Sequence, residues 1–168
     1  MGGTAVTAPA GLTGDQLAHR SLMAQWPTGA TIVSTSDGEG PAGCTVSAMM
    51  SLSDTPPLVV VSLLARGATL AAIRRAGRFA ITVLSSAQAR LCADFARLPV
   101  TERFSATDLR EVDGLPLPTG GVAALTCELA DELPYADHVL LVGAPTWTEI
   151  REDRDPLVVH RRELKAVR

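Results

Sequence analysis

Three short stretches of this chain carry residue types that can do chemistry. Thr45-Val46-Ser47-Ala48-Met49-Met50-Ser51-Leu52-Ser53 is dense in hydroxyls near a strand end. Such a segment can hydrogen-bond a polar ligand through side chains and backbone, or spend the same hydroxyls on its own loop. Leu64-Ala65-Arg66-Gly67-Ala68-Thr69 joins an apolar run to a helix start. Free N–H groups at a helix N-terminus favour an anion, and Arg66 and Thr69 can add donors; an ordinary strand-to-helix turn with a solvated arginine has the same spacing. Asp137-His138, just ahead of an apolar strand, is either a solvated turn or a residue at the mouth of a ligand site.

Other motifs point away from familiar chemistries. Gly38-Glu39-Gly40-Pro41-Ala42-Gly43 is a literal GxGxxG, but Pro41 and the β-branched residues after it read as a hairpin, whereas the dinucleotide fingerprint must open a helix. His19, His138 and His160 have no metal-ligand spacing, and no CxxC pair supports them. No GxSxG elbow is present for a Ser-His-Asp hydrolase. Cys44, Cys92 and Cys127 are odd in number and read as reduced, buried thiols of a cytoplasmic protein.

The elements that must position these residues are mostly strands. Thr13 and Gln16 form a capping box that opens a helix, with Ala18, Leu22 and Trp26 on a face expected to be buried; Pro27 ends it. Thr31–Thr35 and Gly43–Ser47 flank the turn at 37–41. Leu58–Leu64 reads as a strand buried on both faces. A short helix fits Thr69–Ala76, closed by Gly77, and Phe79–Leu84 is a strand. Ser85 and Gln88 open a helix through about Phe95, and Leu98–Gly121 reads as irregular. Strands follow at Val122–Glu128, Val139–Trp147 and Leu157–Arg161. With no regular βαβ alternation, the fold class is mainly β with a few helices, a β-barrel with helical insertions.

Composition bounds the rest. A chain of 168 residues, 46% apolar and 20% charged, suits one globular domain, expected over residues 15–168 behind a mobile lead-in at 1–14. A net charge of −3 without a basic stripe argues against nucleic acid, and the longest apolar run is far short of a membrane span. The first eleven residues, without basic residues or a long apolar core, do not read as a secretory signal.

Taken in order, these segments resemble the flavin reductase-like, FMN-binding split-barrel family, which includes reductase components of two-component flavin monooxygenases. The resemblance rests on Trp26-Pro27-Thr28-Gly29-Ala30-Thr31-Ile32-Val33, Gly43-Cys44-Thr45-Val46-Ser47-Ala48 and Ser51-Leu52-Ser53-Asp54-Thr55-Pro56-Pro57-Leu58. It continues through Gly77–Leu84, Phe95-Ala96, Cys127-Glu128 and Asp137-His138 to Gly143, covering roughly Ser21–Leu164. It implies a homodimer of split β-barrels that reduces FMN or FAD with NADH or NADPH, with a flavin-dependent oxygenase as the destination of the reduced flavin. It also implies ring and ribityl contacts from Thr45, Val46, Ser47, Ser51, Leu52 and Ser53, and a loop at Ala65–Thr69 in which Arg66 and Thr69 serve the phosphate. Phe95 and Arg103 would be further neighbours, and His138 would sit where flavin and nicotinamide meet. Ala136 stands where the family often has glycine, and His160 and Leu164 where aromatic residues are common. A flavin-binding electron carrier or chaperone without NAD(P)H activity is the alternative the family allows; a barrel that has lost its flavin fits less well with the hydroxyls of Thr45–Ser53.

Overall fold

The computed structural model describes residue 11 and residues 13–167. The expected lead-in therefore lies almost wholly outside the described residues. Helix α1 (Gly14–Met23) starts where the capping box places it: the Thr13 side chain accepts from the Gln16 N–H, and Gln16 Oε1 accepts from the Thr13 N–H at 2.8 Å. Strands β1 (Thr28–Gly29), β2 (Thr31–Ser36), β3 (Pro41–Val46), β4 (Met49–Asp54) and β5 (Pro57–Leu64) follow. Helix α2 (Ala68–Ala76) ends on Gly77 at φ 68°, a left-handed position that glycine fills without a Cβ penalty. Strand β6 (Arg78–Val83) and a 3-10 turn lead into α3 (Ala89–Arg97), with Gln88 Oε1 accepting from the Ser85 N–H. Strands β7 (Leu109–Val112), β8 (Leu115–Pro118), β9 (Ala123–Tyr135), β10 (His138–Ile150), β11 (Leu157–His160) and β12 (Glu163–Ala166) complete the chain.

Seven strands form one antiparallel sheet in the order β3-β2-β6-β9-β10-β5-β4. The sheet is mainly β architecture with few helices and is consistent with a split barrel. Period-two alternation explains its burial. Val33 and Ile81 point to the inner core with Val61, Leu63, Phe79 and Leu141, and α2 plugs that core with Leu70 and Ile73. The alternate residues face outward into two satellite clusters. Ile32 and Leu84 meet Cys92 and Phe95 of α3, while Ala80 and Ala124 meet Leu115 and Leu117 of the β7–β8 hairpin. Both faces of β2 are thus covered, and Thr31 through Thr35 are all buried.

Four expectations need correction. The Ala18, Leu22 and Trp26 face is not buried: α1 stops at Met23, short of Trp26, and Leu22 and Trp26 are each 68% exposed, because none of the described residues packs over them. β5 is buried on one face only, with Val61 and Leu63 inside and Leu64 57% exposed. The stretch expected to be irregular contains β7–β8, turned by Asp113 (φ 52°) and Gly114 (φ 73°). Positive φ at both central residues is what a type I′ two-residue hairpin turn requires, and Asp-Gly is among its strongest signatures. β4 lies inside the hydroxyl-dense segment, paired to β5.

Candidate active site

A cleft of about 410 Å³ opens where the ends of β3 and β5 meet the start of α2 and the end of α3. Thr45, Val46, Ser47, Thr69, Phe95, Arg103 and His138 all line it. These residues come from four separate parts of the chain, so the fold gathers them. Gly67 and Ala68 of the expected Ala65–Thr69 loop line it as well, as does Ser62, which the sequence reading did not single out.

The local reasons are visible at each element. β5 ends at Leu64, and the chain turns through Gly67 N–H to Leu64 O at 2.9 Å before α2 begins. The α2 N-cap is Gly67, with no side-chain cap and no acidic residue in the first turn. The first turn of α2, from Ala68 to Leu70, thus presents its N-terminal end to the cleft. An uncapped helix N-terminus carries positive partial charge and unspent N–H groups, a ready setting for an anion.

Arg103 brings a full positive charge to the same cleft. Its Nε donates to Leu98 O at 2.8 Å and its Nη1 to Gly43 O at 2.6 Å, which ties the segment after α3 to β3. Thr45 Oγ1 donates to Cys92 O at 2.6 Å, tying β3 to α3 and leaving the hydroxyl's acceptor capacity. Phe95 is fully buried, edge-on to Phe104 with ring centroids 4.8 Å apart. Thr69 is only 3% exposed and sits on the cleft floor.

His138 begins β10, opposite Leu64 of β5 and Tyr135 of β9. Its side chain is 43% exposed at the cleft, which makes it a mouth residue. The Nδ1 atom lies 2.8 Å from Asp137 Oδ1, and the hydrogen bond to His138 holds the Asp137 carboxyl below the ordinary carboxylate range. Ala136, in the tight link from β9 to β10, has φ 52°. The left-handed conformation explains the family's frequent glycine here; alanine adopts it at a cost in strain.

The remaining expected site residues are elsewhere. Arg66 and Ala65 are exposed on the turn ahead of α2 and do not line the cleft. Ser51, Leu52 and Ser53 lie on β4, around a register shift between Ser51 and Ser53, away from the cleft. Burial raises the Cys44 thiol above its usual value, against the opposing effects of the Thr69 hydrogen bond and the Arg103 charge. Cys127 is pushed up to about 12 by burial. The three cysteines are free, and no thiolate nucleophile is poised at the cleft.

A second concavity of about 760 Å³ runs beside the first. Ser47, Ala48 and Ser62 line both. Its walls are the exposed Met23 at the end of α1 and Trp26 beyond it, Met49 and Met50 of β4, and Arg161 and Arg162 of the β11–β12 turn.

A family model described as a flavin reductase like domain matches residues 23–168. The chain belongs to the flavin reductase-like family. It is 38% identical over 137 residues to a probable flavin reductase of Rhizobium meliloti (strain 1021), a match covering 80% of this chain and 44% of that protein. It is 35% identical over 129 residues to the reductase component of a 4-nitrophenol 4-monooxygenase/4-nitrocatechol 2-monooxygenase of Rhodococcus opacus, covering 77% and 69%. The chain thus spans less than half the length of the Rhizobium relative. Among solved structures, nitrilotriacetate monooxygenase component B from Mycobacterium thermoresistibile superposes with a TM-score of 0.87 at 28% identity, covering 92% of this chain and 87% of the other. The NADH:FAD oxidoreductase SgcE6 of Streptomyces globisporus C-1027, in complex with NAD and FAD fragments, gives a TM-score of 0.87 at 25% identity, covering 95% and 98%. Among the described residues no helix is long and apolar enough to cross a membrane.

Proposed function

We propose that this chain is an NAD(P)H-dependent flavin reductase whose flavin occupies the cleft, with its phosphate at the N-terminus of α2. The observation that carries the reading is the uncapped α2 terminus opening into the same cleft as the Arg103 guanidinium and the His138 imidazole. The fit to a flavin is chemical. An anion meets helix N–H groups and a cation, and a polar ring meets the backbone and hydroxyls of Thr45–Ser47. The reduced nicotinamide supplies a hydride and the flavin ring accepts it, so the protein has only to bind, orient and exclude water. That agrees with a cleft holding no poised nucleophile.

The residues divide that work. Gly67, Ala68 and Thr69 bind the phosphate. Arg103 adds charge and braces β3 through the Gly43 carbonyl. Asp137 fixes the imidazole of His138, which faces the ring of whichever nucleotide enters at the mouth. Arg66 is left as a solvated charge. Names of relatives that include monooxygenase components support a flavin-dependent oxygenase as the acceptor of reduced flavin. The exposed methionines and Trp26 along the larger concavity support a homodimer that covers them. Three free thiols suit a reducing cytoplasm.

The test is an assay of purified protein with FMN, FAD, NADH and NADPH in all pairings. Oxidation of either reduced nucleotide only when flavin is present is the expected result. If no nucleotide is consumed with either flavin although flavin binds, the reductase reading fails and an electron carrier takes its place.

A further inference from the structure

The concavity of about 760 Å³ is a groove between two walls. One wall is the side of β4, β5 and β10 turned away from the inner core, through Met50, Val60, Ser62 and Leu140. The other is the end of α1 with the small sheet β1-β11-β12, joined where the Arg161 N–H donates to Ala24 O at 2.8 Å. Ser47, Ala48 and Ser62 belong to the groove and to the cleft alike, so a ligand in one and a ligand in the other share a wall. The groove's volume lies within the range of small-molecule and cofactor sites.

Charge narrows the class of ligand. The chain has 18 acidic and 15 basic residues, yet this groove is lined by Arg20, Arg161 and Arg162 and, among the described residues, by no carboxylate. Arg161 Nε donates to Gln25 Oε1 at 2.9 Å, a neutral partner. Arg20 and Arg162 make no ion pair among the described residues. A cleft lined by one sign of charge between apolar walls concentrates ligands of the other sign.

The turn that carries two of these arginines is strained. Arg161 and Arg162 link β11 to β12, with His160 and Glu163 paired across it, and their φ angles are 53° and 64°. Such a turn favours Asn-Gly, which takes positive φ at little cost, whereas a long side chain there is penalised at each position. Strain of this kind collects at ligand clamps and other functional positions.

On the reading that the cleft holds the flavin, we propose that this groove takes the adenosine half of the reduced dinucleotide, and that Arg161 and Arg162 select NADPH over NADH. The nicotinamide half then reaches the flavin across Ser47 and Ser62. The two dinucleotides differ by one phosphate on the adenosine ribose. A carboxylate facing that ribose accepts from its hydroxyls and repels the phosphate, and a guanidinium fork reverses the preference. The groove offers forks and no carboxylate. The second copy proposed above covers the apolar side at Met23 and Trp26, and so encloses the ligand rather than replacing it.

The experiment has two arms. Calorimetric titration of the full chain at fixed ionic strength compares adenosine 2′,5′-bisphosphate with 5′-AMP, and steady-state oxidation with FMN compares NADPH with NADH. The bisphosphate is expected to bind about tenfold tighter or more, as a charge-assisted contact gives, with kcat/KM favouring NADPH by a similar factor. The double variant Arg161→Asn with Arg162→Gly removes both guanidiniums and gives the turn the residues it favours. It should bring the two ligands level and raise KM for NADPH, while Tm holds or rises. A purely structural turn would gain the same stability with both ratios unchanged, which refutes the proposal. Wild-type protein that binds the two ligands alike, that prefers NADH, or that binds neither because the second copy fills the groove overturns it as well. If neither dinucleotide is oxidised but the bisphosphate preference is present and lost in the variant, the reductase reading fails and the groove's selectivity stands.

Discussion

Replacing Gly43 by alanine tests how the cleft is braced. A Cβ built there would lie 2.8 Å from Phe104 Cζ, 3.0 Å from Val33 O and 3.2 Å from Phe95 Cε1. Two of these neighbours are ring edges of the Phe95–Phe104 pair, and the third is the backbone of the paired strand β2. The rings pack in the cluster formed with Ile32, Leu84, Cys92 and Leu157, all of them buried, so little room is left for them to retreat. Overpacking a filled core costs typically about 1–3 kcal/mol. For a chain of this size each kcal/mol lowers Tm by about 2–4 °C, so Gly43→Ala should lower Tm by roughly 2–12 °C. The same carbonyl, Gly43 O, holds Arg103 Nη1, and Phe95 lines the cleft. Flavin affinity should therefore fall together with stability. Calorimetry and a flavin titration on the same preparation check both. An unchanged Tm would refute the close-packing argument, and a lowered Tm with unaltered flavin affinity would refute the brace from Gly43 to the cleft.

Three further outcomes follow from the same geometry. His138→Ala should lower kcat for NAD(P)H oxidation while leaving the circular dichroism spectrum and Tm within about 2 °C of wild type; steady-state kinetics check this, and unchanged rates would return His138 to a turn residue. Asp37 has its carboxyl held below its ordinary value near 3.8, first by the Glu39 N–H and then by Arg75, so its contribution is present above that value and is lost as pH falls through the depressed one. Asp37→Asn should thus flatten the acid limb of stability measured by urea unfolding at pH 5 down to pH 2, and an identical limb in both proteins would contradict the assignment. Light scattering at micromolar concentration should report a dimer, and Trp26→Glu should shift it toward monomer; an unaltered mass in the variant would place the interface elsewhere.

Local signals were legible in the sequence because their physics is local. The capping box at Thr13, the left-handed stop at Gly77 and the turn between β2 and β3 each depend on a few adjacent residues. The Asp113-Gly114 turn is equally local, but the prolines at 116 and 118 obscure the strand beside it, because proline cannot donate to a ladder and is uncommon within paired strands. What needed the fold was non-local. β4 is a strand because β5 lies beside it, and nothing in its hydroxyl-rich composition says so. Periodicity correctly found an apolar face on α1, but periodicity does not say whether the covering surface lies in the same chain. The cleft was legible in Thr45, Ser47, Thr69 and His138, each next to a strand or helix end. Adjacency to the helix start favoured Arg66 as the cation of the site, whereas the cation that lines the cleft is Arg103, expected only as a further neighbour and brought there by the segment after α3.

The burial of the cysteines bears on the durability of such an enzyme. Reduced flavin that escapes into aerated solution gives hydrogen peroxide, so a flavin reductase works beside an oxidant of its own making. Peroxide attacks thiolate, not thiol. With burial pushing Cys127 up to about 12, its thiolate is scarce at pH 7. Burial also raises Cys92 and Cys44, the latter within the cleft itself. The packing that builds the core therefore also protects its sulfur from the chemistry at its surface.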